Sequence, residues 1–586
     1  MKKILLSIFL ILVYCHVFSQ YYLRGEIRDV KGNRLSDVKI LLYSTGNFSY
    51  RSGSTGAFGI RTNVAIDTIT LIFDGYETFK KVVETNKFQT LVLQMLPSNA
   101  LSQKNKLSSI TKNLTKEENS FFSAQGESYS NLIENSFLTT NLFPETGFAL
   151  NIDKAAYSNI RRFLNNEIYP PKDAVRIEEL LNYFSFNTAK KIAQNNLFNC
   201  NTYITDCPWN KKNKLLFVNL QAPKLNLDSV PPSNLVFLID ISGSMDKPNR
   251  LPLIQSAFKM LTDNLREKDT VAIVIYGGGV ARILNPTSGA EKIKINSVID
   301  SLVAAGDTPG EGAIQSAYNS ARETFIKNGN NRVILATDGD FNVGQTSEKA
   351  LEELIVQQRQ YGIFLTCLGV GMGNYKDSKL ESLAKKGNGN FAYLDNINEA
   401  QKVFVTEFTS TLYAVANDAM VKVKFNEDVV KQYRLIGFDN KKNSVEDSTS
   451  EIEGGEVGSG HAMMAIFEFM PSDDTTFTNH ALGNIQLQFK NVKNNETMVQ
   501  NFDIPYQATS FNNADSSLKF ATAVCMFGSL LKQSKYATNY SFKEVYNIAM
   551  ESANKTDLTQ QEFLMLIKKA NKIYFPQKKK KRNDDW

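Results

Sequence analysis

The sequence predicts a multidomain protein of class α/β plus β. A Rossmann-like domain, with a parallel central sheet and helices on both faces, is inserted in a β-rich domain. Residues 233–412 alternate continuous apolar runs with helical stretches, which is typical of buried parallel strands joined by crossover helices. Strand-like runs lie on both sides, at 200–220 and 417–507. Each group is too small for a sandwich of its own, so we expect them to form one domain.

The length and composition fit this organisation. The chain has 586 residues, against roughly 100–200 in a typical domain. Its net charge of +6 comes mostly from the terminal run 578–582. The folded body is close to neutral, so we expect no nucleic-acid partner. The sequence contains 3 histidines, too few for a His-rich metal site or a distributed set of histidine general bases.

Residues 1–19 have the pattern of a secretory signal peptide, with lysines, an apolar run at 4–13 and a small residue before the predicted cleavage at Gln20. The apolar run is shorter than the about 20 residues of a transmembrane helix; an uncleaved anchor is the alternative. Cys15 would allow a lipoprotein, but Tyr14 stands where a lipobox has a small residue. We expect an exported protein, periplasmic or associated with the outer surface.

Residues 21–96 alternate apolar and polar positions between glycine and aspartate turns, which predicts a small β-sandwich. The motif Gly25-x-Ile27-x-Asp29 and the glycine turns that follow it resemble the carboxypeptidase regulatory-like domain, a transthyretin-like module. This resemblance implies a spacer or docking role. Residues 97–143 are rich in Ser, Asn, Lys and Thr and lack periodicity, which predicts a linker.

Polar side chains follow two of the predicted parallel strands. Asp240, Ser242 and Ser244 come directly after one buried run, and Asp338 follows a later one. Ligands of open α/β sheets bind beyond the carboxyl ends of the strands, so both carboxylates are expected at one edge. Thr308 lies in a loop between them. Hydroxyl and carboxylate oxygens without nitrogen or sulfur suit a hard divalent cation, Mg²⁺ first, with Mn²⁺ or Ca²⁺ as alternatives.

This constellation resembles the metal-ion-dependent adhesion site (MIDAS) of the von Willebrand factor type A (VWA) domain. The resemblance implies that Ser242, Ser244 and Thr308 give hydroxyl oxygens to the metal. The two aspartates would act directly or through water. Asp307 could take part beside Thr308, or Thr287 could replace it.

The flanks of residues 233–412, the predicted VWA domain, also resemble a known group. Residues 144–232 look like the N-terminal flanking region of bacterial exported VWA proteins, notably in the stretch 170–179. Residues 413–586 are expected to form a C-terminal domain that is β-rich, then helical, and ends in a basic tail; as far as about residue 575 they resemble that group's C-terminal domain of unknown function. We expect that tail to be solvated; the alternative is a peripheral contact with anionic lipid or polysaccharide of the envelope.

The cysteines beyond the leader suggest one disulfide. Cys200 and Cys207 are close in sequence, which in an exported chain favours a bridge between them. Cys367 lies in a buried strand and Cys525 in an apolar helix, so we expect both to be core residues. His461 follows a glycine-rich turn and is either a hydrogen-bonded packing residue or a functional group.

The MIDAS resemblance implies a function as well. Neutral hydroxyls in the metal's shell leave the cation electrophilic, so an open position can take a carboxylate from a partner protein. We therefore expect a non-enzymatic, metal-dependent protein-interaction scaffold of the adhesion type in the bacterial envelope. The alternatives are a metal-dependent hydrolase, for which no histidine or glutamate near the motif is an obvious base, and a structural component of an envelope assembly.

Overall fold

The computed structural model describes residues 21–30, 32–46, 49–53, 55–73, 76–94, 127–150, 153–186, 197–226, 230–305, 312–339, 348–372, 376–439, 455–472, 481–492, 494 and 496–576. The chain divides into two units between Phe122 and Ser123. Several predictions fall outside the described residues, namely those on the signal peptide 1–19, Cys15, Asp307, Thr308 and the basic run 578–582.

The N-terminal unit is a two-sheet β-sandwich. Its described strands are β1 (Tyr21–Asp29), β2 (Lys39–Leu42), β3 (Ser49–Arg51), β4 (Ala57–Thr62), β5 (Ile66–Ile72), β6 (Phe79–Glu84) and β7 (Phe88–Leu93). One sheet has the order β4-β1-β7 and the other β3-β2-β5-β6. Alternate side chains, such as Leu23 and Ile69, meet in one buried cluster because successive strand residues point to opposite faces. The predicted sandwich is confirmed, and its likeness to the carboxypeptidase regulatory-like domain stays a prediction.

The C-terminal unit combines several sheets with helices. Its described strands are β8 (Leu138–Thr139), β9 (Glu145–Ala149), β10 (Asn199–Asp206), β11 (Lys214–Gln221), β12 (Ser233–Asp240), β13 (Thr270–Tyr276), β14 (Val280–Ser288), β15 (Asn330–Thr337), β16 (Ile363–Val370), β17 (Phe391–Leu394), β18 (Ala414–Phe425), β19 (Val430–Ile436), β20 (Gly455–Gly458), β21 (Ala462–Pro471), β22 (Ala481–Asn491), β23 (Thr497–Pro505) and β24 (Ala508–Thr509). Its described α-helices are α1 (Ala155–Asn165), α2 (Ile177–Asn182), α3 (Leu251–Asp263), α4 (Lys292–Ser301), α5 (Ala313–Glu323), α6 (Glu348–Gln360), α7 (Asp377–Lys386), α8 (Ile397–Gln401), α9 (Phe408–Leu412), α10 (Ser516–Lys532), α11 (Phe542–Ser552) and α12 (Leu558–Tyr574).

Strands β12 to β17 form the parallel sheet that the sequence predicts. Their order is β14-β13-β12-β15-β16-β17, and β12 pairs in parallel with both β13 and β15. The edge strand β14 runs antiparallel to β13. Every residue of β12 and β15 is buried, as expected for central strands with helices on both faces. Helix α3 packs on one face, and α5 and α6 pack on the other.

The parallel domain is inserted in a β-domain, as predicted. Strand β11, before the insertion, pairs antiparallel with β21, after it, and Leu216 lies opposite Phe467. These strands belong to a sheet of order β24-β10-β11-β21-β19-β8. A second sheet, of order β20-β18-β22-β23, packs against it through a shared buried cluster. The 200–220 strands therefore do not pair only among themselves.

The end of the predicted linker is part of the folded unit. Leu138–Thr139 pairs with β19 as strand β8. The carboxylate of Glu127 accepts hydrogen bonds of 2.7 and 2.8 Å from the Arg162 guanidinium on α1. The linker prediction is therefore wrong for residues 127–143, because these polar residues gain order from distant partners that a local pattern does not contain.

The predicted disulfide is wrong, because Cys200 and Cys207 are both free. They lie at the two ends of β10, where Cys200 pairs with Leu220 and Cys207 follows the last strand residue. An extended chain rises about 3.3 Å per residue, so their separation far exceeds the about 7 Å that a disulfide tolerates. Cys367 and Cys525 are buried in the core, as expected.

Helices α10, α11 and α12 pack with α1 and α2 around one apolar cluster. Phe184, Phe520 and Phe563 make edge-to-face contacts at its centre. The predicted helical end of the chain is thus part of the same folded unit as the N-terminal flank. Among the described helices, none combines the length and the apolar composition needed to span a membrane.

Buried ion pairs brace the inserted domain at its borders. Arg332 on β15 is fully buried, and its Nη2 donates to both carboxylate oxygens of Glu456 on β20 at 2.9 Å. At another border, Arg161 on α1 donates to Asp395 and Glu399 at 2.5 to 2.7 Å. A buried charge is strongly destabilising when its partner is lost, so these pairs fix how the inserted domain sits.

Glu456→Gln should lower the free energy of unfolding of the C-terminal unit by about 3 kcal/mol, because the buried Arg332 guanidinium loses its counter-charge. Urea unfolding followed by fluorescence measures the change. The matched control is Glu323→Gln, which breaks the more exposed pair with Arg282 and should change the free energy by less than about 0.5 kcal/mol. Equal effects of the two substitutions would contradict the bracing role.

Candidate metal site

Asp240 and Asp338 lie at the same edge of the parallel sheet. Strand β12 ends at Asp240, and its neighbour β15 ends one residue before Asp338. The register pairs Ile239 with Ala336, so the two strands reach the edge together. The placement predicted from the strand ends is confirmed.

Asp240 forms the buried floor of this edge. It is fully buried, and its carboxylate accepts hydrogen bonds from Ser242 N at 2.8 Å, Thr337 Oγ1 at 3.0 Å and Tyr276 Oη at 3.2 Å. Burial raises the pKa of Asp240 to about 6, and the nearby charge of Asp338 acts in the same direction. The three donors fix the carboxylate in place, and a cation would favour its charged form.

Ser242 and Ser244 follow Asp240 in the chain and lie between this buried carboxylate and the solvent. Their hydroxyl oxygens are 3.1 Å apart, and Ser242 is buried whereas Ser244 is exposed. Both belong to a turn that closes with the short 3₁₀ segment Gly243–Met245. Gly277, at the end of β13, has φ of 135°, and a Cβ there would lie 2.6 Å from Ser242 N. Glycine is therefore required for β13 to pack against the turn.

Arg250 is the residue of this edge that sequence reasoning misses. Its Nη1 donates to Asp338 Oδ2 and, at 2.7 Å, to the backbone oxygen of Ser244. Its Nη2 donates to Met372 O at 2.9 Å. One sign of this role is present in the sequence: a single arginine stands between the turn and the apolar helix α3.

Thr287, the alternative to Thr308, lies at the opposite edge of the sheet. It stands opposite Val271 near the start of β13, whereas Asp240 is level with Tyr276 at the end of that strand. The suggestion that Thr287 could replace Thr308 is therefore wrong. Thr308 is outside the described residues, so its role stays a prediction.

The described donors suit a small hard cation. No group of three or more His, Cys, Asp or Glu side chains in the described part of the chain is placed to hold a metal. The edge instead offers the hydroxyls of Ser242 and Ser244 close to the buried carboxylates of Asp240 and Asp338. An all-oxygen set with neutral members fits Mg²⁺. All the predicted ligands that the structure describes converge on this edge.

Comparison with known proteins gives three matching family descriptions along the chain. They are "von Willebrand factor" for residues 123–217, "von Willebrand factor type A domain" for 234–406 and "Uncharacterized protein YfbK, C-terminal" for 410–573. YfbK of Escherichia coli (strain K12) is 35% identical over 458 residues, which cover 73% of this chain and 78% of YfbK. The chain belongs to the YfbK family of von Willebrand factor type A proteins.

More distant proteins resemble parts of this YfbK-family chain. Inter-alpha-trypsin inhibitor heavy chain H2 of Mus musculus is 27% identical over 264 residues, which cover 44% of this chain and 26% of that protein. The solved structure "von Willebrand factor type A from Catenulispora acidiphila" aligns with a TM-score of 0.39 and 15% identity, over 64% of this chain and 91% of that one. The expected VWA domain with the family's C-terminal region is confirmed by the family match.

His461 of this YfbK-family chain is enclosed near the junction of the VWA and β-domains. Its backbone oxygen accepts a 2.8 Å hydrogen bond from Ala222 N. Its Nε2 is buried and has no hydrogen-bond partner among the described residues. Burial, with the Lys154 ammonium nearby, lowers the pKa of His461 to about 4. The ring therefore packs as a neutral group, without the hydrogen bond at Nε2 that the packing interpretation expects.

The pH dependence of stability should report on His461. Its pKa is about 4 in the folded chain against 6.5 for an ordinary histidine, so protonation favours unfolding. The stability from this group is complete well above pH 6.5, begins to fall as the pH drops through the unfolded pKa, and should be lower by about 3 kcal/mol near pH 4. Urea unfolding at several pH values should show a smaller loss in His461→Gln, which is similar in size and does not titrate. Identical profiles for the two proteins would contradict this account.

Proposed function

We propose that this chain is a non-enzymatic protein-interaction scaffold that binds an acidic group of a partner through a Mg²⁺ ion at the edge of its VWA sheet. One observation supports this above all. The buried carboxylates of Asp240 and Asp338 lie at one sheet edge, and the hydroxyl of Ser244 is exposed at the same edge. The exposure of the donor side chains thus increases from the buried carboxylates to the exposed hydroxyl of Ser244. A partner could therefore reach an ion bound at this edge from the solvent side.

The neutral and the charged side chains of the site have different roles. Ser242 and Ser244 would give the cation neutral hydroxyl oxygens, and Asp240 and Asp338 would balance its charge from the buried side. A bound Mg²⁺ ion would supply an electrophilic centre, and a carboxylate oxygen of the partner would complete its coordination shell. Because Asp240 is held by three donors, its carboxylate needs little rearrangement when the ion binds.

The geometry favours binding over hydrolysis. Hydrolysis needs a general base within reach of an attacking water. At this edge the carboxylate of Asp240 accepts three hydrogen bonds, and that of Asp338 is paired with Arg250. Among the described residues, both carboxylates are therefore engaged in holding the site together.

We also propose that the scaffold is exported to the periplasm or the outer surface. The pattern of residues 1–19 supports export. The module that residues 21–96 resemble occurs in bacterial surface proteins, which supports the same location. In this arrangement the N-terminal sandwich acts as a spacer or docking module. The basic run 578–582 would attract an anionic envelope surface.

Mg²⁺ should raise the melting temperature of the wild-type protein, because the ion binds the folded site and not the open chain. The shift corresponds to about 2–3 kcal/mol at a hundredfold excess over Kd. Asp240→Ala and Ser244→Ala should show much smaller shifts while keeping the fold. Ser256→Ala removes a hydroxyl that donates to Pro252 O within α3 and serves as the matched control, with an unchanged shift. Thermal unfolding at increasing MgCl₂ gives all four curves, and equal shifts throughout would refute the site.

A peptide-display library tests the class of partner. Peptides captured by the full chain in Mg²⁺ and released by EDTA should contain Asp or Glu. Replacing that residue by Asn or Gln should abolish binding, because an amide oxygen is a weak substitute for a carboxylate on Mg²⁺. Captured peptides without an acidic residue, or capture unaffected by EDTA, would contradict the proposed recognition.

A further inference from the structure

Arg250 joins three loops at the metal edge with one side chain. It is 5% exposed and occupies the N-cap position of α3, where its side chain makes no capping hydrogen bond. Its guanidinium reaches the turn at Ser244, the carboxylate of Asp338 after β15 and the backbone of Met372 after β16. Arginine presents its donors in a fixed planar fork, so three acceptors in three directions define one position for the group.

The fold makes room for this guanidinium. Gly371 has φ of 79°, and a Cβ there would lie 2.4 Å from Arg250 Nε. Any other residue at 371 would displace the arginine as well as strain the backbone. Arg250 is thus an integral part of the edge rather than a surface side chain that has folded back.

The edge contains a positive side chain beside its two carboxylates. Asp240 and Asp338 are both almost fully buried there, and Arg250 is a permanent positive charge in direct contact with Asp338. With both carboxylates ionised, these three described side chains together carry one net negative charge, whereas the two carboxylates alone would carry two. A divalent ion entering it meets both the attraction of the carboxylates and the repulsion of the guanidinium.

We propose that Arg250 is a built-in counter-cation that holds one oxygen of Asp338 and weakens the site's hold on its divalent ion, so that the bound ion still needs an acidic partner. This inference rests on the proposed function and names what regulates that site. Asp338 is kept from supplying a full second charge to the ion, and a partner's carboxylate supplies it instead. Partner binding and metal binding then strengthen each other.

A purely structural role for Arg250 makes the opposite prediction. If the guanidinium only positioned the loops, every substitution would disorder the donors and weaken metal binding. If its charge sets the affinity, removing the charge should tighten metal binding, because the loss of repulsion outweighs the loss of one orienting contact. The Arg250→Lys substitution separates the two roles, because lysine keeps the positive charge and lacks the planar set of guanidinium donors.

The test is calorimetric titration of MgCl₂ into EDTA-treated full-length protein. Arg250→Gln should bind Mg²⁺ on the order of tenfold more tightly than the wild type. Its melting temperature in EDTA should fall, because the buried Asp338 loses its counter-charge. Arg250→Lys should bind Mg²⁺ within about threefold of the wild type. Arg282→Gln, which removes a more exposed arginine on β14, is the matched control and should bind as the wild type does.

The outcomes separate this inference from the function on which it rests. Wild-type protein that binds no Mg²⁺ overturns both. Wild-type protein that binds Mg²⁺ and loses it in Ser244→Ala supports the site. If Arg250→Gln then binds Mg²⁺ no more tightly than the wild type, the counter-cation role is overturned. If Arg250→Gln does not fold, Arg250→Lys decides alone, and a tenfold weaker affinity in that variant overturns the role.

Discussion

The rest of the C-terminal unit depends on the antiparallel pairing of β11 with β21. These strands pair from Lys214 opposite Phe469 to Gln221 opposite Ala462, and the chain between them contains the whole VWA domain. Both ends of the insertion therefore adjoin the same sheet. Arg332, near the start of β15, holds the N-terminal ends of the VWA strands against the β-domain through its ion pair with the buried carboxylate of Glu456.

This attachment decides where the candidate site lies. Parallel strands that start beside the β-domain must end away from it, so Asp240 and Asp338 are carried to the far edge of the sheet. There the interior favours neutral groups, yet the site needs carboxylates. Hydrogen bonds to Asp240 and the guanidinium of Arg250 offset the cost of burying these charges. The contacts that stabilise the folded edge therefore also determine how strongly its charges attract a cation.

Local pattern was enough to predict much of the fold and the ligands at the strand ends. Apolar runs and their spacing indicated the parallel sheet, and polar residues directly after those runs indicated Asp240, Ser242, Ser244 and Asp338. The features that failed depend on distant partners. Arg250 meets Asp338 across 88 residues of sequence. The same cause explains the linker: local composition does not show that the polar stretch at 127–143 contacts α1 and β19.

Diffraction from crystals grown with Mn²⁺ tests the central claim most directly, because the anomalous signal of Mn²⁺ locates the ion without assuming its ligands. The account predicts one strong peak within about 2.2 Å of the hydroxyl oxygens of Ser242 and Ser244, above the carboxylate of Asp240, with Arg250 still in contact with Asp338. No anomalous peak at this edge, or a peak bound by other residues, would contradict it.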